Sequence, residues 1–168
     1  MDTLVDTNIL IYRYDAEAPH QQSVAHALLR QGLDQCSLVL AHQSIVEFVA
    51  VARRPRKRLD GATRPLLDPA ELSREVEFML NSFPILLPTQ DTVRLALRGM
   101  SAYQLAWYDA HLWAYAEQNS IPEILSEDFQ HGRWYGDVRV RNPFEERPEM
   151  VHQELAPYDA DHRRRRHA

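Results

Sequence analysis

One cysteine among 168 residues, Cys36, leaves no partner for an internal disulfide and excludes a Cys-based zinc site. Long apolar runs are also missing. None approaches the roughly 20 residues that a membrane-spanning helix needs, and the first already carries Asp6 and Asn8, unlike a signal peptide. No membrane partner is therefore expected, and a bacterial-type cytoplasm is the expected compartment. Positive charge is in deficit as well: a formal net charge of -5 speaks against a general nucleic-acid binder, which is usually basic. Acids concentrated in one site would change that locally by binding a divalent cation. No internal repeat is visible.

What remains is the composition of an ordinary globular protein, long enough for one domain with a continuous core. The chain is organised around Thr3-Leu4-Val5-Asp6-Thr7-Asn8-Ile9-Leu10-Ile11. A short apolar run with a β-branched residue ends on an acid, and a fresh apolar run follows Thr and Asn. This reads as a buried strand with a carboxylate at its C-terminal tip and an immediate helix over 8–15. In parallel α/β sheets ligands bind outside the carboxyl ends of the strands, so Asp6 is expected there.

The same alternation continues. Helix is expected over 20–33, with Val24, Ala27, Leu28 and Gly32 on one face, and strand over 37–41. A helix from about Gln43 or Ser44 carries an apolar stripe of Ile45, Phe48, Val49 and Ala52, with Glu47 beside it. It ends before Pro55. Residues 56–68 read as a loop, and Pro69 opens a helix to about Asn81. A strand bracketed by prolines (84–88), helices over 91–100 and 107–119, a strand over 123–126 and an edge strand over 138–140 complete the order. The expected fold is α/β, a three-layer sandwich with a mainly parallel central sheet. Residues 145–168 turn polar and end in Arg163 to Arg166; this extension is expected to be disordered alone or strapped to a partner.

Four acids fall at related places: Asp6 and Asp128 at strand ends, Glu47 and Asp109 in helices that follow strands. Each has a plain structural alternative, Asp6 and Asp128 as caps, Asp109 as a favourable charge in a first helical turn, and Glu47 as a surface residue. Converging, they would repel one another strongly and would have to protonate or share a cation. Oxygen-only ligands suit Mg2+ or Mn2+, and such an ion with open positions is equipment for phosphodiester hydrolysis.

Val5-Asp6-Thr7-Asn8-Ile9-Leu10, Glu47-Phe48 in a helix, Trp107-Tyr108-Asp109-Ala110, and Ser126-Glu127-Asp128-Phe129-Gln130-His131-Gly132 followed by Val140-Arg141-Asn142-Pro143-Phe144 resemble the motifs of PIN domains. The resemblance runs over about residues 2–144 in the family's order, and the nearest branch is the VapC-like toxins of bacterial toxin–antitoxin pairs. It implies a nuclease domain over 1–144: a metal-dependent endoribonuclease using Mg2+ or Mn2+ on an RNA substrate, with Asp6, Glu47, Asp109 and Asp128 as its acids. A homodimer inhibited by a cognate antitoxin is also implied. Asp6 would ligate metal, Asp109 and Asp128 would complete the site, and Glu47 would bind a second ion or accept the attacking water's proton. Thr7, Asn8 and Ser126 would orient the carboxylates or touch the phosphate. The family often has Ser three residues before the third acid; Ala106 stands there, and losing such a cap costs about 1 kcal/mol.

Arg53-Arg54-Pro55-Arg56-Lys57-Arg58 is the densest basic run, either an RNA-phosphate grip or a solvated helix end. Trp107, Tyr108, Trp113 and Tyr115 could stack bases, or form core or interface; His111 and His131 read as structural. Among rivals, haloacid-dehalogenase-like phosphatases want an Asp where Asn8 stands, and a receiver domain needs a downstream lysine where the chain has Lys57 alone. A catalytically inactive PIN-like dimer, acting as an RNA- or protein-binding module, stays open.

Overall fold

Three short apolar runs, Leu4-Val5, Leu38 to Ala41 and Ile124-Leu125, are buried on both faces, and this double burial sets the architecture. The computed structural model describes residues 2–145. In chain order its elements are β1 (Thr3–Val5), α1 (Thr7–Tyr12), α2 (Pro19–Asp34), β2 (Leu38–Ala41), α3 (His42–Ala52), β3 (Arg56–Lys57) and β4 (Thr63–Arg64). They continue with α4 (Pro69–Ser82), β5 (Ile85–Leu86), α5 (Gln90–Tyr103), α6 (Trp107–Gln118), β6 (Glu123–Leu125), β7 (Trp134–Tyr135) and β8 (Val138–Arg141). The main sheet runs β5-β2-β1-β6-β8-β7, parallel throughout except for β7 against β8. It is a mixed α/β fold with a mostly parallel sheet between helices.

Alternation along β1 divides the core. Leu4 joins Val39, Ile124, Val140 and the inner faces of α5 and α6 in one cluster. Val5 points the other way, to Leu40, Leu125 and residues of α1 to α4, with Phe48 wholly enclosed. Each such side chain contributes roughly 1.5–3 kcal/mol by leaving water. On the first face α5 meets α6 closely: a Cβ added at Gly99 would stand 2.6 Å from the Trp113 ring.

Register places the functional edge. Val5 lies opposite Leu40 on one side and Leu125 on the other. The ladder extends one step, with the Asp6 amide donating to the Leu125 carbonyl (3.0 Å) and that of Ser126 to the Arg141 carbonyl (3.1 Å). Asp6 and Ser126 therefore leave neighbouring strands level with each other, at their carboxyl ends.

Some expectations need correction. Residues 56–68 are not simply loop: β3 and β4 form an antiparallel hairpin, Arg56 opposite Arg64, turning through Gly61 at φ 84°. Strand β8 is internal, and β7, which the pattern did not suggest, is the edge. The inner face of α2 is Ala25, Leu29 and Gly32, while Ala27 is exposed, because the helix is rotated by about one position from the stripe expected. Helix α1 stops at Tyr12, short of 15. The polar extension, beyond Glu145, lies outside the described residues. Among the described residues no helix is long and apolar enough to cross a membrane.

Candidate active site

The end of β1 turns directly into α1, and Asp6 sits at the junction as N-cap: its Oδ1 accepts from the Thr7 amide at 2.6 Å. The capping alternative is thus realised, but it uses only one carboxylate oxygen. Oδ2 accepts from the Ser126 hydroxyl (2.5 Å) and from Asn8 Nδ2 (3.2 Å). Asn8 Nδ2 also approaches Ser126 Oγ (3.2 Å) and Asp128 Oδ2 (3.1 Å), while Ser126 Oγ accepts from the Asp128 amide at 3.1 Å. Two neutral side chains thereby tie Asp6 to Asp128 across β1 and β6. Thr7 takes part through its amide; its hydroxyl points to the Ser44 carbonyl at 3.4 Å.

The other acids arrive from helices. Glu47 lies one turn inside α3, half-buried, with Oε1 shielded from solvent and without a hydrogen-bond partner. Asp109 stands in the first turn of α6, which starts at Trp107 although Ala106 provides no side-chain cap. Asp6, Glu47, Asp109 and Asp128 line one cleft of about 360 Å³.

This gathering shifts protonation. Asp6 is pushed from its ordinary 3.8 to about 7, first by burial. The Ser126 and Thr7 hydrogen bonds oppose the shift, and the charges of Asp128 and Glu47 add to it. Glu47 is raised by burial, with a Gln43 hydrogen bond opposing and Asp128 reinforcing. Asp109 is raised by burial, then by Asp128 and Glu47. Like charges around a desolvated carboxylate are the arrangement in which a cation restores the ionised form.

The donor set fits a hard divalent ion in kind: oxygens only, with Glu47 Oε1 and Asn8 Oδ1 both shielded and unmatched by any donor. It is not a closed cage. Among the described residues no three His, Cys, Asp or Glu side chains are arranged to hold an ion by themselves.

The basic run is dispersed. Arg53, Arg54 and Lys57 are exposed, the first as C-cap of α3. Arg58 turns inward, its side chain only 9% exposed, and contacts Asp15 (3.4 Å) and Glu17 (3.3 Å), so it is committed within the fold rather than presented to a ligand. Arg56 lines the cleft, 2.7 Å from Asp15. Of the aromatics, Trp113 and Tyr115 are core, whereas Tyr108 is 61% exposed on the cleft wall. His111 stacks on Trp107 and shares a 2.6 Å contact with Gln43 Oε1; His131 Nδ1 accepts from the Asn142 amide at 3.0 Å.

Sequence reasoning passed over Asp15, Gln43, Tyr12 and Glu127, which all line the cleft. Gln43 had a signal: it lies four residues before Glu47, on the same helix face, and its Nε2 donates to the Tyr108 carbonyl at 3.0 Å, joining α3 to α6. Tyr12 is pushed to about 12 by burial and then by its hydrogen bond to Glu127. Asp15 carried no signal, because its partners are some 40 residues away in sequence.

Solved structures share the fold of this chain. A toxin–antitoxin complex from Klebsiella pneumoniae aligns with TM-score 0.59 at 18% identity, over 84% of this chain and 98% of that one. FitAB bound to a DNA fragment aligns with TM-score 0.62 at 18% identity, over 88% and 99%. The sarcin–ricin-loop-cleaving toxin VapC20 of Mycobacterium tuberculosis aligns with TM-score 0.51 at 14% identity, over 73% and 87%. No curated protein sequence matches the chain. The PIN domain family model matches residues 3–135, most of the described fold, with Asp6, Glu47, Asp109 and Asp128 among them, and the chain belongs to the PIN-domain family.

Proposed function

We propose that the acid-lined cleft is the active site of a Mg2+- or Mn2+-dependent endoribonuclease, and that the protein is the toxin of a toxin–antitoxin pair. The observation that carries this reading is the convergence of Asp6, Glu47, Asp109 and Asp128 on one cleft, with Asp6 buried among like charges and only neutral donors on its oxygens. Structural neighbours named as toxin–antitoxin complexes and as an RNA-loop-cleaving toxin support the choice of RNA and of a cognate antitoxin.

Asp6, Asp109 and Asp128 would hold the ion, with Glu47 either joining them or accepting the proton of the attacking water. One or two carboxylates with water and substrate phosphate is the usual way Mg2+ is bound, which suits an open cleft better than a cage. A bound divalent ion supplies a water of lowered pKa and neutralises charge at the phosphate. Asn8 and Ser126 fix the Asp6 carboxylate and, through Nδ2 and Oγ, keep Asp128 beside it. Such supporting contacts commonly account for 10- to 100-fold in metal affinity or activity, roughly speaking. Gln43 tethers the Asp109 helix to the Glu47 helix.

The antitoxin and a second copy of the chain belong to the same reading; exposed Val46, Leu87 and Leu97 offer apolar contact area for them. The test is cleavage of RNA by the purified protein with Mg2+ or Mn2+, and its loss in EDTA. The open donor arrangement keeps a second reading alive, a binding module without catalysis. RNA retention with neither cleavage nor metal uptake would establish that second reading.

A further inference from the structure

Arg56 is the only cationic side chain lining the cleft among the described residues. Its setting is unusual. Nη2 lies 2.7 Å from Asp15 Oδ2, yet neither Nη2 nor Nε has an aligned hydrogen-bond acceptor, although both are shielded from water. Asp15 thus anchors the inner side of a guanidinium whose side chain as a whole remains 37% exposed. A guanidinium is a planar fork of donors matched to phosphate geometry.

Charge balance points the same way. Asp15 faces two guanidinium groups, Arg56 and Arg58, and Arg58 also contacts Glu17. Two acids and two arginines make this corner neutral, whereas the remainder of the cleft carries Asp6, Glu47, Asp109, Glu127 and Asp128. Every other charged side chain that an RNA strand would meet in the cleft is a carboxylate. The hairpin β3–β4 carries Arg56, and it is pinned to the α1–α2 connection by the Arg58 contacts and by the Leu59 amide donating to Glu17 Oε1 at 2.7 Å.

We infer that Arg56 receives a phosphate of the bound RNA strand, with Asp15 as the positioning residue that holds its guanidinium in the cleft and Arg58 as a structural pin. The inference deepens the nucleolytic reading and rests on it for the identity of the strand. Within the basic run it separates residues that the sequence presents as equals: Arg56 meets the ligand, Arg58 meets the fold.

The test uses full-length protein carrying Asp6→Asn, bound to a short single-stranded RNA in EDTA across a salt series, with thermal melting of each form. Arg56→Gln should make the slope of log affinity against log salt shallower by about 0.7, the value for one phosphate contact on a single strand. Arg58→Gln should leave that slope unchanged while lowering Tm. Arg56→Lys, which keeps the charge and hence the contact with Asp15, should retain the slope but bind several-fold more weakly, because the fork is gone; it decides the matter if Arg56→Gln does not fold. An unchanged slope in Arg56→Gln, unchanged affinity in Arg56→Lys, an equal slope change in Arg58→Gln, or no RNA binding by the Asp6→Asn protein would each overturn the assignment. Absence of cleavage by the unmutated protein with Mg2+ or Mn2+ counts against the nuclease reading alone.

Discussion

Asp6 and Asp15 line the same cleft and are equally buried, each 8% exposed, yet their surroundings are opposite. Asp15 sits between two arginines. Asp6 has no cation beside it among the described residues; it has a backbone amide, a hydroxyl, a carboxamide and the fields of two further acids. The fold thus gives one buried carboxylate two guanidinium partners and leaves the other raised to about 7. Burial alone does not explain the difference. In a pocket that keeps a desolvated acid among other acids, a bound cation would restore the ionised form.

The largest effect that would break this contrast is on activity. Replacing Asp6 by Asn, which caps a helix as well as Asp does, should lower RNA cleavage about a hundredfold or more, as loss of a metal ligand does at least as strongly as loss of its supports. The assay is cleavage of labelled RNA at saturating Mg2+ or Mn2+; activity within a fewfold of the unmutated protein would leave Asp6 as a cap and nothing more.

Stability against pH sharpens the comparison next. Unfolded, Asp6 titrates near 3.8; folded, near 7. Between those values the native state holds more protons than the unfolded one, so the metal-free protein loses stability as pH rises from about 4 to about 7, roughly 4 kcal/mol at most. Denaturant titrations in EDTA at several pH values should find this loss in the unmutated protein. Asp6→Asn should lack that component and be the more stable of the two above pH 7. Equal pH profiles would show that Asp6 ionises without penalty.

At the other acid the sign reverses. Asp15→Asn leaves the inward-turned Arg58 with Glu17 alone and removes the charge facing Arg56, and breaking a buried pair of this kind should cost about 3 kcal/mol, read as a lower denaturation midpoint. A neutral or stabilising outcome would remove the contrast between the two aspartates.

The smallest effect concerns the helix that brings Asp109. Asp6 caps α1, whereas Ala106 leaves α6 uncapped. Ala106→Ser should add about 1 kcal/mol, measured by thermal melting; no gain would mean that the Gln43 tether to Tyr108 already secures this end.

The edge carrying Asp6 could be read from the sequence because it depends on local pattern: apolar runs that end on polar residues, in a sheet whose parallel register aligns those ends. The helix start at Trp107 and the α3 stripe of Ile45, Phe48 and Ala52 were legible for the same reason. The hairpin was not. Asp60-Gly61 is a turn signal, but the flanking Arg56-Lys57 and Thr63-Arg64 lack apolar alternation, and what stabilises them is pairing with Asp15 and Glu17 far along the chain. The split between Arg56 and Arg58 follows from that same long-range contact, so the five basic residues of 53–58 looked alike. The internal position of β8 escaped because β7 has two residues, too few to show a period.

A divalent cation taken up by the cleft around Asp6 would relieve its charge. Melting of the unmutated and Asp6→Asn proteins at pH 8, each with EDTA and with millimolar Mg2+ or Mn2+, tests it most directly. Metal should clearly raise the Tm of the unmutated protein and should raise little or not at all that of Asp6→Asn, whose metal-free Tm already stands higher. A Tm of the unmutated protein that does not respond to either ion, or a metal response equally large in Asp6→Asn, would contradict it.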